Sequence, residues 1–323
     1  MPAGEMKIFS GTANPELAKK ICAHLSICLS KSKSFQFSEG NIYVNLLENV
    51  RRKEIFFIQS GCVPVNDLIM ETLFYIDAFK RSSASTVTVV LPFFPYTKGD
   101  KKDEPRVSIR AKVISEIIEA TGADRLLTLD LQPPQIQGFF KIPVDNLYAM
   151  PVFCDYLKEL NIPDLIIAAP DFGAAKMADN FAHRLNAPVA LGSKQRHGHV
   201  ESVQITNVIG DVKDKNVVIV DDMIISGGTI CEMGKMLKSN GALKIYACVT
   251  HALLSDEFIQ NIEDCSFDEL IITDTFPQKE TFQHPKIKRL SVAHLLSEAI
   301  SSIYNGDPLS KLFSGVNLIE NNR

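Results

Sequence analysis

The stretch VVIVDDMIISGGTICEMGKML, Val217 to Leu237, decides how the rest of the sequence is interpreted. Its first four residues are apolar and β-branched, which is typical of a strand covered on both faces. Two adjacent acids, Asp221 and Asp222, come next, and a turn of small residues follows them. Apolar residues at helical spacing come after the turn. The stretch therefore predicts one strand–turn–helix unit of an open α/β sheet.

The turn after the two acids has the composition of a phosphate-binding site. In open α/β sheets, ligands bind beyond the carboxyl ends of the strands, where this turn is expected to lie. Carboxylate oxygens only accept hydrogen bonds, which suits two neighbouring sugar hydroxyls. Glycines let the backbone approach an anion closely, and the N–H groups that open the helix face it. The residues that predict a ribose 5-phosphate site are Asp221, Asp222, Ser226, Gly227, Gly228 and Thr229.

The bulk composition indicates a globular protein of two domains. The chain has 323 residues, of which 46% are apolar and 22% are charged, as is ordinary for such proteins. The formal net charge of −4, without a block of like charges, argues against a nucleic acid polymer as partner. No apolar run approaches the ~20 residues that span a bilayer, and the N-terminus lacks the apolar core of a secretory signal. We therefore expect no membrane partner and a cytoplasmic location.

The seven cysteines are scattered along the chain, and none forms a CxxC pair. This spacing does not favour a zinc site, because structural zinc usually takes closely spaced pairs of ligands. For a cytoplasmic protein it predicts reduced thiols, most of them buried.

Short β-branched runs alternate with helical patterns along the whole chain, which predicts α/β architecture with doubly wound parallel sheets. The candidate strands are Ile42–Leu47, Ile55–Gln59, Thr86–Leu91, Arg125–Leu129, Leu165–Ala168, Asn216–Val220, Lys244–Val249 and Leu270–Thr273. The candidate helices start at Pro15, Val65, Ile109, Gly228 and Ala293. We expect an N-terminal domain over 1–149 and a C-terminal domain over 150–302, with 303–323 packing on the first.

Beyond the acidic turn, motifs along nearly the whole chain resemble one family. They are SGTANPELAKKI at 10–21, FSEG at 37–40, VNDLIMETLFYIDAFKRSSA at 65–84, PFFPYTKGDKKDEPR at 92–106, IQGFFKIPVDNLYA at 136–149, PDFGAAK at 170–176 and SKQR at 193–196. In this order they are similar to the ribose-phosphate pyrophosphokinases. The resemblance implies two domains of the type I phosphoribosyltransferase fold. It also implies transfer of the pyrophosphoryl group of ATP to ribose 5-phosphate, the cofactor Mg²⁺, and homodimers that assemble into a hexamer.

The resemblance also implies roles for individual residues. Lys194 and Arg196 match the basic pair of the family's catalytic loop, and cations there suit the charge that builds up on phosphoryl oxygens. Residues that match the ATP site are Phe37, Glu39, Asn41, Lys98 and Asp100. Gln132 and Asp171 match positions near the metal.

The sequence departs from the family mainly on the nucleotide side. Gln132 stands where the family has a histidine, Asn41 where it has a glutamate and Lys98 where it usually has an arginine. At the turn that matches the sugar phosphate site, Ile225 stands where the family has an acid. Glutamine still offers a carbonyl oxygen to magnesium but cannot exchange a proton. Two other functions therefore stay open: a catalytically weak or inactive homologue that regulates an active synthetase, and a phosphoribosyltransferase that consumes phosphoribosyl pyrophosphate. Retention of Lys194 and Arg196 favours an active synthetase.

Overall fold

A computed structural model of the chain describes residues 4–195, 204–260, 262–277 and 282–313. By its internal contacts the chain divides into two compact units. The first unit contains the described residues up to Tyr148 together with 275–277 and 292–313. The second contains the described residues of 149–274 and 282–291.

Strands and helices alternate through both units. The strands are β1 Met6–Ser10, β2 Ser32–Gln36, β3 Ile42–Leu46, β4 Glu54–Ile58, β5 Thr86–Leu91, β6 Arg125–Leu129, β7 Val144–Leu147, β8 Leu165–Ala169, β9 Val189–Gln195, β10 Gln204–Ile209, β11 Asn216–Ile224, β12 Ile245–Ala252, β13 Glu269–Thr273 and β14 Ile287–Leu290. The helices are α1 Pro15–His24, α2 Val65–Arg81, α3 Arg110–Thr121, α4 Met150–Leu160, α5 Ala175–Leu185, α6 Gly228–Ser239, α7 Asp256–Gln260 and α8 Ala293–Asn305.

The sheet of the second unit reverses its strand order at its centre. Its order is β10-β9-β8-β11-β12-β13-β14. All neighbours in it pair in parallel except β10, which pairs antiparallel with β9 at the edge. The chain leaves β8 towards β9 and later returns to β11 on the other side of β8. Ligands of open α/β sheets bind beyond the carboxyl ends of the strands at such a reversal, so β8 and β11 flank the expected site.

The sheet of the first unit follows chain order, β1-β4-β5-β6-β7, and is parallel throughout. One of its faces packs on α2 and α3, where Phe57, Tyr75 and Phe79 are almost fully buried. On the opposite face the alternate residues Phe56 and Ile58 are also buried, as expected for a parallel sheet covered on both faces. The candidate strand at 42–47 lies outside this sheet, because β3 pairs antiparallel with β2 in a separate hairpin.

The helix ends show local causes that the sequence contains. The Asn14 side chain accepts a hydrogen bond from the Leu17 backbone N–H, which caps α1. Helix α3 ends at Gly122, whose left-handed backbone (φ 115°) a residue with a Cβ would adopt only at a cost. Helix α1 ends at His24 rather than continuing towards Cys28.

Two expectations from the sequence need correction. The boundary predicted between residues 302 and 303 would cut α8, whereas the whole helix belongs to the first unit and packs against α1. The expectation that all cysteines are free thiols is also wrong, because Cys231 and Cys265 form a disulfide. They lie 34 residues apart, so no local spacing pattern marks them. In the described part of the chain, every helix is too short or too polar to cross a bilayer.

Candidate functional site

Strand β11 carries the two adjacent acids at the reversal point of the second sheet. Its pairing with β8 ends at Ile219, while its pairing with β12 continues to Ile224. Asp221 and Asp222 therefore lie in the last part of β11, where one neighbouring strand has already ended. The sequence predicted that the strand ends at Val220 and that the acids follow it. In fact the strand includes them and continues to the start of the turn.

Three carboxylates influence one another at this strand end. The Asp222 backbone N–H donates to Oδ1 of Asp221 at 2.9 Å. Burial raises the pKa of the Asp221 carboxyl well above its usual value, and the charges of Asp222 and Asp171 raise it further. Asp171 follows β8 and accepts a hydrogen bond from the Ala174 N–H at 3.2 Å. The structure thus brings Asp171 to the two acids of β11.

The turn between β11 and α6 has the shape that the glycines predict. Gly227 is buried and adopts a left-handed backbone (φ 80°), and a Cβ at this position would overlap the Phe258 ring. Ser226 and Gly228 are exposed, and Thr229 is half-buried. Since α6 begins at Gly228, the free N–H groups of its first turn lie beside these side chains. Such a helix end attracts an anion.

A cavity of about 630 Å³ adjoins the turn. Residues 225–228 line one side of it, and Cys231, Lys235 and Phe258 are among the others. Ile225 is 45% exposed, so the apolar side chain that replaces the family's acid is open to solvent beside the turn. The sequence did not single out Phe258, because its contact with Gly227 joins residues 31 positions apart.

The predicted ATP-binding residues lie in two places of the first unit. Phe37, Glu39 and Asn41 form the exposed tip of the β2–β3 hairpin, where the Phe37 N–H donates to the Asn41 carbonyl at 2.8 Å. Lys98 is exposed in a single 3-10 turn, Thr97–Gly99, and Asp100 follows it half-buried. The hydrogen bonds of the hairpin tip are local, so the joint ATP site stays a prediction.

Gln132, predicted to be near the metal, is half-buried just beyond the end of β6. Asp130 lies two residues before it and is only 6% exposed. Its charge contributes to raising the pKa of Tyr148, although burial is the larger cause. Asp130 was not among the predicted site residues, although an acid directly after a predicted strand is the same signal that marked Asp221. Gln132 and Asp171 belong to different units, so a shared metal site stays a prediction.

Of the predicted catalytic pair, Lys194 lies near the end of β9. The backbone of Lys194 pairs in register with Ile205 of β10. Arg196 lies outside the described residues. The catalytic roles of both residues therefore stay predictions.

Comparisons with known proteins find related sequences for residues of both units. Residues 6–122 match the family model of the N-terminal domain of ribose phosphate pyrophosphokinase. Residues 198–314 match the phosphoribosyl synthetase-associated domain. A ribose-phosphate pyrophosphokinase of Campylobacter jejuni is 45% identical over 307 residues, covering 95% of this chain and 98% of the relative. One of Chlorobaculum tepidum is 45% identical over 314 residues, covering 97% and 96% respectively.

A solved structure resembles the fold over the same length. The crystal structure of phosphoribosylpyrophosphate synthetase from Mycobacterium smegmatis matches with a TM-score of 0.87 at 35% identity. The match covers 94% of this chain and 99% of that one. It confirms the predicted α/β class with parallel sheets of the phosphoribosyltransferase type. With identity above 40% to enzymes matched almost end to end, this chain belongs to the ribose-phosphate pyrophosphokinase family.

Proposed function

We propose that the acidic end of β11 and the turn that follows it bind ribose 5-phosphate for the family's reaction. The chain is a ribose-phosphate pyrophosphokinase, which transfers the pyrophosphoryl group of ATP to the C1 hydroxyl of ribose 5-phosphate. The products are phosphoribosyl pyrophosphate and AMP. A bond forms between the C1 oxygen and the β-phosphorus, and the bond from that phosphorus to the oxygen bridging to the α-phosphorus breaks.

One observation carries the assignment of the ribose site: two acids and an anion-binding turn adjoin at the sheet reversal. Asp221 and Asp222 can accept from the two ring hydroxyls of the sugar. The N–H groups of residues 226–229 and the start of α6 can donate to its 5-phosphate. Because the strand fixes the acids and the helix fixes the turn, the sugar would be held at both ends before reaction.

Lys194 and Arg196 are proposed to supply positive charge during transfer. Negative charge spreads over the oxygens of the transferred group, so cations placed beside them lower the barrier. A lysine offers a mobile point charge, whereas an arginine offers two parallel donors in one plane. Lys194 lies in β9, the strand next to β8 in the sheet, which supports a location near the proposed sugar site.

The donor set at β8 and β11 fits Mg²⁺, which prefers carboxylate oxygens. Burial raises the pKa of the Asp221 carboxyl, and the charges of Asp222 and Asp171 raise it further. A divalent cation would relieve the repulsion between these carboxylates. Among the described residues, no three His, Cys, Asp or Glu side chains are arranged so that they could bind a metal ion by themselves. We therefore propose that magnesium is held by carboxylates of this cluster together with substrate oxygens, as is usual for this ion. When bound, it would neutralise charge on the phosphates.

The exposed hairpin tip is proposed to bind the adenine of ATP. Phe35, Phe37 and Tyr43 pack on one another, with ring centroids 4.9 to 5.9 Å apart, yet each is more than 40% exposed. Exposed aromatic rings of this kind offer a flat apolar surface to a base. Glu39 and Asn41 beside them can exchange hydrogen bonds with it. Lys98 and Asp100 are proposed to contact the phosphates and their cation.

We also propose that the enzyme works in the cytoplasm and forms homodimers that assemble into a hexamer. The support for assembly is exposed apolar surface on the first unit. Met70 and Phe74 lie one turn apart on α2, Val113 and Ile117 one turn apart on α3, and all four are 39 to 45% exposed. Apolar residues grouped in this way are typical of surfaces that other chains cover. No finding favours the rival function of an inactive regulatory homologue.

The test is formation of AMP from ATP and magnesium by the purified chain, with ribose 5-phosphate present or left out. We expect AMP to form only with the sugar phosphate, and Lys194→Ala to lower kcat by about 100-fold or more, since loss of one stabilising donor costs roughly that much. The matched control is Lys244→Ala, an exposed lysine before β12, which should leave kcat unchanged. Sugar-independent AMP formation, or full activity in Lys194→Ala, would contradict the proposal.

A further inference from the structure

The disulfide links the helix that follows the proposed phosphate turn to the segment packed against it. Cys231 lies in the first turn of α6, and its backbone N–H donates to the Gly227 carbonyl at 3.0 Å. Cys265 ends the short 3-10 helix Ile262–Cys265 and is 2% exposed. The other cysteines are free thiols: Cys22, Cys28, Cys62, Cys154 and Cys248. The bond therefore joins the start of α6 to the described residues between 256 and 267.

The same segment touches the turn and the helix at further points. The Phe258 ring, in α7, occupies the space beside Gly227 that a Cβ would need. One turn along α6 from Cys231, Gly234 packs so closely on the Cys265 carbonyl that a Cβ there would overlap it. The disulfide lies between these two contacts. The position of Phe258 against the turn thus depends on how firmly its segment is held to α6.

The bond is also open to a small reagent. Both cysteines line the cavity of about 630 Å³ that adjoins residues 225–228. That volume is in the range that holds a small organic molecule. A thiolate from solution could therefore attack one sulfur of the bond from the cavity, which is the requirement for thiol–disulfide exchange.

We propose that Cys231 and Cys265 form a redox-responsive clamp that sets the affinity of the phosphate turn for ribose 5-phosphate. With the bond formed, the segment carrying Phe258 holds the turn in its binding shape. With the bond reduced, the segment is tied to α6 by packing alone, and the turn must be ordered when the sugar phosphate binds. This inference rests on the ribose 5-phosphate site proposed above.

The chemistry needs one external couple, a small thiol and its disulfide. Reduction breaks the Sγ–Sγ bond by two exchange steps: two molecules of the small thiol give two protein thiols and one small disulfide. Oxidation reverses this, so the two electrons and two protons pass to the small disulfide. A disulfide inside a cytoplasmic protein is usually one that responds to redox conditions, so the proposed cytoplasmic location favours a responsive bond over a permanent one.

The test compares the enzyme equilibrated with oxidised and with reduced glutathione, after which the thiols are characterised and the kinetics measured. Mass spectrometry of the peptides should find Cys231 and Cys265 linked in the first state and free in the second. We expect KM for ribose 5-phosphate to be about fivefold higher, or more, in the reduced enzyme, because ordering the turn then costs binding energy. We expect kcat at saturating sugar to change less than about twofold, since binding rather than the transition state is affected.

Two kinds of variant separate the clamp from an effect of another thiol. Cys231→Ser and Cys265→Ser should show the high KM of the reduced enzyme in both states. Cys28→Ser removes the exposed free thiol and should keep the full difference between the states. The proposal is overturned if KM is equal in the two states of the wild type, if the linked peptide never forms, or if Cys28→Ser abolishes the difference. The wild-type comparison holds even if a serine variant does not fold.

If the proposed ribose 5-phosphate site is wrong, a different measurement shows it. Asp222→Asn should raise KM for ribose 5-phosphate in both redox states, because it removes an acceptor for the sugar. An unchanged KM in this variant would refute the proposed sugar site. A raised KM in this variant, with no redox effect in the wild type, would refute the clamp alone.

Discussion

At the scale of single residues, the two glycines of the turn offer a matched pair of substitutions. Gly227 has a left-handed backbone and no room for a Cβ beside Phe258, whereas a Cβ at Gly228 would meet only the Ser226 hydroxyl oxygen, 3.9 Å away. We expect Gly227→Ala to lower the free energy of unfolding by roughly 2 kcal/mol or more. Gly228→Ala should change it by less than about 1 kcal/mol. Thermal or denaturant unfolding of both variants measures this, and equal effects would contradict the close packing of Phe258 on Gly227.

The Asp221 carboxyl gives a pH-dependent prediction at the same scale. Its pKa in the folded chain is raised by burial and by its acidic neighbours, whereas in the unfolded chain it is about 3.9. Between the two values the folded state binds more protons, so this group lowers stability as the pH rises through that window. At acid pH below about 3.9 both states are protonated and the penalty vanishes.

Asp221→Asn should therefore stabilise the metal-free protein at neutral pH, by about 1 kcal/mol or more, while weakening activity. The gain over the wild type should shrink towards zero as the pH falls to about 3.9. Denaturant unfolding across pH, in buffer with a chelator, measures it. Asp179→Asn, at an exposed acid on α5, is the control and should not reproduce the gain in stability. A gain that is constant with pH would show that the charge of Asp221 is not the cause.

At the scale of elements, the sequence predicts best where the signal is local and buried. Strands β5 and β6 have the bounds that the sequence predicts, because most residues of strands covered on both faces are apolar. Strand β14 was not predicted, since two of its four residues are exposed and polar. The hairpin strand β3 is rich in apolar residues, as the sheet strands are. Only its pairing with β2 shows that it lies outside the main sheet.

The site shows the same division between local and distant signals. Asp221, Asp222 and the turn were predictable because strand, acids, glycines and helix follow one another within a short stretch. Asp171 was identified only by resemblance, and its electrostatic contact with Asp221 depends on β8 lying next to β11. Phe258 and the Cys231–Cys265 bond gave no signal, because they join parts of the chain that come together only by folding.

At the scale of the whole molecule, the exposed apolar residues of α2 and α3 predict the assembly state. These helices pack against each other in the first unit, and each has exposed apolar side chains, among them Phe74 on α2 and Ile117 on α3. Covering such residues in a subunit contact removes apolar area from water, at about 25 cal/mol per Å². Introducing a charge there should oppose the contact, because a buried unpaired charge is costly.

We expect the wild type to be larger than a monomer in size-exclusion chromatography with light scattering, and the double variant Phe74→Glu, Ile117→Glu to shift to a smaller species. Circular dichroism should show unchanged secondary structure, since both side chains are about 40% exposed in the single chain. The matched control is Leu243→Glu, an apolar residue of the second unit that is 52% exposed, which should keep the wild-type mass. A monomeric wild type would refute the proposed oligomer. If Leu243→Glu also dissociates the protein, the exposed apolar residues of α2 and α3 are not what holds the subunits together.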